Sequence, residues 1–202
     1  MDTYKQQLQG AGLCAQICSI ISVLAICAGY ITLTVYLGQF AMNNPNGDGW
    51  YGIVNGQQVM DTKAGFDRRA AGSTVTDLDH VHDHFVTWFM WGFINGCGVI
   101  GSTLLILIPC CPAVLGCFQC SNFAFWIAGM VWRLRESGSF ASGDIMPAGV
   151  NEDDWINQIK ASNVYQYESG NFMWVYYMIT WILMGVGCFC SCVGGVVAGC
   201  SR

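Results

Sequence analysis

Four long apolar runs dominate the pattern of hydrophobic and polar positions along the chain. They cover about residues 13–40, 85–108, 113–134 and 172–198. An apolar stretch of about 20 residues is long enough to cross the hydrocarbon core of a bilayer as a helix. The pattern therefore predicts an all-α membrane protein. Residues 1–202 would form one four-transmembrane-helix bundle, with loops at 41–84 and 135–171.

The second and third runs are separated by a short turn, Pro109-Cys110-Cys111-Pro112. Proline lacks a backbone donor and restricts the residue before it, so paired prolines end one helix and begin the next. No charged residue lies between Asp83 and Arg133. This absence predicts a tight hairpin of two helices. The count of four helices predicts that both chain termini lie on one side, which is the side of the turn.

The first loop contains the strongest signal for a β-hairpin. Asn55-Gly56 separates the β-prone segments 50–54 and 57–60, and both turn positions tolerate a positive φ. We expect a small hairpin here. Further on, Thr76 or Asp77 is expected to cap the second long helix.

The second loop is expected to contain one short helix. Asn151 suits an N-cap, and the carboxylates of Glu152, Asp153 and Asp154 suit the positive end of the helix dipole. The predicted helix spans about 152–161. The earlier segments 137–139 and 142–144 have the small, polar residues of turns.

Composition supports the membrane interpretation and excludes one class of partner. Hydrophobic residues make up 53% of the 202 residues and charged residues 10%, whereas about 25% charged residues is typical of soluble domains. The net charge is −5, and no basic face is available for phosphates. We expect a lipid bilayer, further copies of the chain or other membrane proteins as partners, and no nucleic acid.

The twelve cysteines are unevenly distributed, and neither loop contains one. Disulfides staple proteins in oxidising compartments, so their absence from the loops favours cytosolic termini beside the cysteine-rich end. The six basic residues on the loop side, five in the loops and Arg133 at the end of the third run, argue for the opposite orientation. Cysteines near a membrane surface are candidates for S-acylation, and buried packing is the alternative role. The candidates are Cys110, Cys111, Cys117, Cys120, Cys190, Cys192 and Cys200.

One segment has the composition of a metal site. His80 and His84 would share a helix face, a spacing that suits Zn²⁺ or Cu²⁺, and His82 lies between them. The alternatives are a capped helix entry and a pH-sensitive segment. No nucleophile motif, phosphate-binding loop or haem motif stands out, so we expect neither an enzyme nor a cofactor.

Small residues recur at a spacing of four in three of the apolar runs. This spacing lets helices approach closely in membranes. The pairs are Ala25 with Gly29, Gly92 with Gly96, and Gly195 with Gly199.

The arrangement of four helices, a long first loop with a hairpin and a shorter second loop resembles the claudin-like and MARVEL-type tetraspan proteins. Gly49-Trp50 lies where claudins carry their first-loop tryptophan motif, but the paired loop cysteines are missing. The passage Trp132–Asp144 is similar to tetraspan proteins of single-celled eukaryotes. The resemblance implies a multi-pass protein of the plasma membrane or its extensions.

The function that we expect is that of a structural scaffold that associates laterally. The small-residue spacings and the missing catalytic motif favour it. A subunit of an oligomeric channel and an accessory subunit of a larger membrane complex are the alternatives.

Overall fold

The computed structural model describes most of the chain. Its backbone is described for residues 21, 24, 27–43, 47–104, 111–147 and 149–200, and its side chains for the same residues apart from 103–104, 111–115, 187–188 and 190–200. The helices are α1 (27–43), α2 (Lys63–Ala70), α3 (Val81–Leu104), α4 (Cys111–Leu134), α5 (Glu136–Ala141), α6 (Glu152–Ala161) and α7 (Tyr167–Cys200). The strands are β1 (Trp50–Val54), β2 (Gln57–Asp61) and β3 (Val75–Asp79).

The predicted four-transmembrane-helix bundle is wrong. The described residues form seven helices and a three-stranded antiparallel sheet. Among them, one helix segment, Val81–Ser102, is long and apolar enough to cross a membrane, and 39% of its apolar window is buried in the protein. The predicted tetraspan features and the multi-pass plasma-membrane location are therefore not supported. Length and apolar content misled the prediction, because a helix that packs inside a protein has the same pattern.

The predicted hairpin is present, but it is part of a larger sheet. β1 pairs with β2 antiparallel around Asn55 and Gly56, whose φ values are +50° and +83°. Both φ values are positive, as a type I′ turn requires. β3 pairs with the other edge of β1, so the strand order is β2-β1-β3.

The expected helix cap at Thr76 or Asp77 is wrong. Both residues belong to β3, and α3 begins only at Val81. The pairing of β3 with β1 shifts register between Tyr51 and Ile53, and Asp77 adopts a φ of +52°. A helix cap is a local feature, whereas this strand depends on a partner that is distant in sequence.

The second loop is more helical than expected. α6 spans Glu152–Ala161 as predicted, and the Asn151 side chain accepts a hydrogen bond from the Asp153 amide. The turn expected at 137–139 is wrong, because Glu136–Ala141 forms α5. The turn expected at 142–144 is confirmed, since Ser142 and Gly143 form a turn directly after α5. α7 begins at Tyr167, and not at 172 as predicted.

The contacts divide the chain into two compact units. Unit 1 comprises Met1–Asn43 and Phe89–Asn122, and unit 2 comprises Asn44–Trp88 and Phe123–Arg202. In unit 1 the rings of Phe40 and Phe89 stack at 4.9 Å. The indole of Trp91 donates to Ser121, whose hydroxyl donates to the buried Asn95. Polar side chains inside this unit thus bond to each other.

The core of unit 2 is aromatic. Trp88 has no exposed surface, stacks on Phe125 at 4.6 Å and donates its indole N–H to the Phe125 carbonyl. A Cβ at Gly129 would collide with Tyr177 Oη and Trp88 Nε1. Glycine therefore allows α4 to approach these rings closely. Around the sheet, Phe66 of α2 is 1% exposed and packs over Gly52.

Candidate functional site: the histidine segment and the exposed face of α7

The three histidines lie between the end of β3 and the first turn of α3, and each faces a different partner. The His80 ring stacks on Trp50 at 4.4 Å. His82 is 3% exposed, and its Nδ1 lies 3.0 Å from Gln166 Nε2. His84 Nε2 lies 2.9 Å from Asp79 Oδ1. Within the described part of the chain, no group of three or more His, Cys, Asp or Glu residues is arranged to hold a metal ion. The metal site stays a prediction from spacing.

The carboxylate of Asp79 joins β3 to α3 and α5. Besides His84, it accepts a hydrogen bond of 2.6 Å from Ser137 Oγ, and Arg135 Nη1 lies 3.8 Å away. His84 also stacks on Trp132 at 5.2 Å. These contacts bring together a strand end and two helices that are far apart in the sequence. We call Asp79, His84, Arg135 and Ser137 the Asp79 cluster.

The surroundings of Asp79 favour its charged form. Burial alone would raise the pKa of this carboxyl, but the hydrogen bonds from Ser137 and His84 and the charges of His84 and Arg135 outweigh burial, so its pKa lies below its usual value. Charge-assisted hydrogen bonds are roughly twice as strong as neutral ones. The Asp79 cluster is thus a stabilising electrostatic junction.

The same geometry is not that of a nucleophilic serine site. In such sites the serine hydroxyl donates to the histidine that removes its proton. Here Ser137 donates to Asp79, and His84 binds the other oxygen of the same carboxylate. The contacts therefore hold the fold together without activating the serine.

A second junction buries an arginine. Arg133 is 1% exposed, and its guanidinium forms two hydrogen bonds to Asp144, of 2.5 and 3.0 Å. Its Nε donates to the Gly170 carbonyl at 3.0 Å. α4, the segment after α5 and the start of α7 are joined through this one side chain. In the sequence, Arg133 marks only the end of an uncharged stretch, because its partners are distant along the chain and give no local signal.

A third contact connects the sheet to α5. Glu136 accepts hydrogen bonds from Tyr51 and Gln58, the former at 3.3 Å. Burial raises the pKa of Tyr51 to about 12, and the charge of Glu136 is the second cause of this shift. The Tyr51 hydroxyl therefore stays protonated in the folded protein.

The acylation candidates are described only in part. Cys117 and Cys120 are exposed, free thiols on α4. Cys110 lies outside the described residues, and Cys111, Cys190, Cys192 and Cys200 lie in helices although their side chains are not described. Their acylation stays a prediction.

The predicted packing pairs are found in different surroundings. A Cβ at Gly96 would collide with the Thr34 side chain, whereas Gly29 faces open space. Gly92 is buried in α3. Ala25 lies outside the described residues, and the surroundings of Gly195 and Gly199 are not described.

The largest unpaired feature of unit 2 is the apolar surface of α7. Seven large apolar side chains along it are more than half exposed, and five of the seven follow one another at spacings of four, three, four and three residues. We call them the α7 seam: Val175 (54% exposed), Ile179 (53%), Ile182 (59%), Val186 (55%) and Phe189 (70%). This is the heptad spacing at which the apolar residues of one helix meet a second helix. The sequence does not reveal the seam, because the whole segment is apolar and shows no helical period.

Comparisons with known proteins give no relative: no family model, curated protein or solved structure matches this chain. The resemblance to claudin-like and MARVEL-type proteins consequently stays a prediction.

Proposed function

We propose that this protein is a structural scaffold that associates with further copies of itself through the α7 seam. One observation carries the proposal: the seam has the side-chain spacing of a paired helix, and no described residue covers it. A fully buried isoleucine or valine contributes about 1.5–3 kcal/mol relative to an exposed one. Pairing of two seams would therefore be strongly favourable.

The neighbouring parts of unit 2 suit a scaffold role. The Asp79 cluster and the Arg133 junction fix α4, α5 and the start of α7 through hydrogen bonds and ion pairs. A rigid base presents the seam in one orientation, which reduces the entropy lost on association. The contacts around Asp79 support the fold and leave no activated nucleophile, so we propose no enzymatic activity.

A lipid bilayer is the second partner that we propose. Residues 181–186 of α7 are exposed on all sides, and five of these six residues are large and apolar. Such a segment tends to be covered by protein or by lipid. Contact with lipid through this one segment does not require four spans.

The test compares two substitutions of equal chemistry on opposite faces of α7. Ile182→Gln lies in the seam, whereas Met184→Gln replaces an exposed side chain two residues further along, on another face. The size of the assembly is measured by sedimentation velocity, with and without lipid vesicles. Self-association through the seam predicts that Ile182→Gln weakens assembly at least about tenfold, because one apolar side chain is lost from each copy.

Met184→Gln is expected to leave assembly unchanged. A wild-type protein that stays monomeric across the concentration range would refute self-association. Equal losses in both variants would refute the seam. If the two substitutions weaken vesicle binding equally, the result would support lipid contact around the whole helix.

A further inference from the structure

We infer that β2 is a second self-association site, at which two copies of the chain pair their β2 strands antiparallel around Val59. The inference rests on the proposed scaffold function for its biological role, but it uses a different surface. It concerns the outer edge of the sheet, where β2 has β1 on one side only.

The turn geometry shows which backbone groups point outward. In a hairpin with a two-residue type I′ turn, the residues that flank the turn form a hydrogen-bonded pair, and bonded and non-bonded pairs then alternate. Val54 with Gln57 and Gly52 with Val59 are therefore bonded pairs. The N–H and C=O groups of Gln58 and Met60 point away from β1.

This edge is open in the described part of the chain. No backbone hydrogen bond to the outer groups of Gln58 or Met60 is formed by any described residue. Exposed strand edges usually carry lysine, proline or a bulge that prevents pairing. β2 has none of these, and its register with β1 is regular over all five pairs.

The sequence of β2 is complementary to itself. A two-fold axis through Val59 places Gln58 of one copy opposite Met60 of the other. Each of these two pairs would form two backbone hydrogen bonds, so the interface would gain four. The two Val59 side chains would face each other directly, and β-branched side chains pack well against their neighbours on a pleated sheet.

The charges also agree with a second copy as the partner. Asp61 is the one charged residue of β2, and the two-fold axis places it opposite Gln57, whose amide can donate to a carboxylate. The Asp61 carboxylate is already paired with Arg69 of its own chain at 2.9 Å. No like charges meet across this interface.

Two separate self-complementary faces on one chain have a structural consequence. Each face alone makes a closed dimer, but two different faces together build an open assembly in which every copy contacts two others. The β2 edge and the α7 seam would thus make the scaffold polymeric.

The test uses charges at the centre of the proposed interface. Val59→Lys and Val59→Asp each place like charges directly opposite one another, whereas a mixture of the two variants places opposite charges there. Each variant alone is expected to weaken β2 pairing about tenfold, and the mixture to restore it. Val59→Thr, which keeps the β-branched shape without a charge, serves as the control and should pair like the wild type.

The measurement is made in the Ile182→Gln background, so that association through the seam does not contribute. Sedimentation velocity should show a dimer for the wild-type strand and for Val59→Thr, monomers for each charged variant, and a dimer for the mixture. Amide hydrogen exchange at Gln58 and Met60 should slow as the protein concentration rises.

Three results would overturn the inference. They are a monomer with the wild-type strand, a mixture of the charged variants that fails to dimerise, and exchange at Gln58 and Met60 that is independent of concentration. If only the seam proposal were wrong, a different experiment would show it: the Ile182→Gln variant with an intact β2 would assemble like the wild type.

Discussion

Two regions of unit 2 differ in which side chains they bury and which they expose. Arg133 is buried and Asp79 is partly buried, and each has polar partners placed by a different element. Along the α7 seam, large apolar side chains are exposed and no described residue covers them. In the first region, hydrogen bonds and ion pairs between polar groups stabilise the folded chain itself. We propose that the second leaves its apolar surface for an interaction with another molecule, because large exposed apolar patches often mark interaction sites.

The largest expected effect is the difference in stability loss between replacing a buried phenylalanine and replacing an exposed one. Phe66→Ala removes a ring that is 1% exposed, and the lost contacts and the cavity should lower the free energy of unfolding by about 3–5 kcal/mol. Phe189→Ala removes a ring that is 70% exposed and should cost the monomer less than about 0.5 kcal/mol. Chemical denaturation at a protein concentration that keeps the chain monomeric measures both. Similar losses in the two variants would contradict the contrast.

The next effect compares two ion pairs. Asp144→Asn leaves the charge of the buried Arg133 without its carboxylate and should lower the free energy of unfolding by about 2–3 kcal/mol. Asp67→Asn removes the partner of Lys63, an exposed pair of 2.6 Å, and should cost less than about 0.5 kcal/mol. Thermal unfolding of the two variants under one buffer condition tests the difference. A loss for Asp67→Asn as large as that for Asp144→Asn would disprove it.

A smaller effect concerns the stability of the protein at acidic pH. Because the pKa of Asp79 is lower in the folded protein than in the unfolded chain, its contribution is present above the unfolded pKa of about 3.9. That contribution disappears as the pH falls through the folded pKa. Unfolding free energy measured against pH should therefore decline less steeply in Asp79→Asn than in the wild type over this acidic range. Parallel curves for the two proteins would show that Asp79 gains nothing from the cluster.

The smallest effect belongs to the hydroxyl of Tyr51. Tyr51→Phe removes its hydrogen bond to Glu136 and should lower the free energy of unfolding by about 0.5–1.5 kcal/mol. The raised pKa of about 12 means that folded protein loses stability as the pH rises from about 10 towards 12, where the unfolded chain ionises first. Tyrosine absorbance during an alkaline titration measures this, and the variant should lack one late-titrating tyrosine, while Tyr165, whose pKa burial also raises to about 12, remains. Ionisation of every tyrosine near pH 10 would contradict the burial of Tyr51.

The sequence predicts the elements whose signals are local. Asn55-Gly56 specifies its turn because both positions must adopt positive φ. Asn151 and the three following carboxylates specify the start of α6 for the same local reason. β3 could not be predicted this way, since Val75–Asp79 forms a strand by pairing with β1. The Asp79 cluster depends in turn on where β3 ends.

The four-span prediction failed for a related reason. An apolar run specifies that a helix must be covered, but not by what. In α3 the aromatic residues Phe85, Trp88 and Phe89 are covered by protein, whereas in α7 the seam is exposed. The sequence pattern is similar in the two helices, and only the packing distinguishes them.

Hydroxyl-radical labelling of α7 as a function of protein concentration tests the central claim most directly. Ile182 and Met184 are both exposed in one copy of the chain, so both should be labelled at low concentration. Pairing of α7 seams predicts that labelling of Ile182 falls as the concentration rises while labelling of Met184 persists. Labelling of Ile182 that stays constant across that range would contradict self-association through the seam.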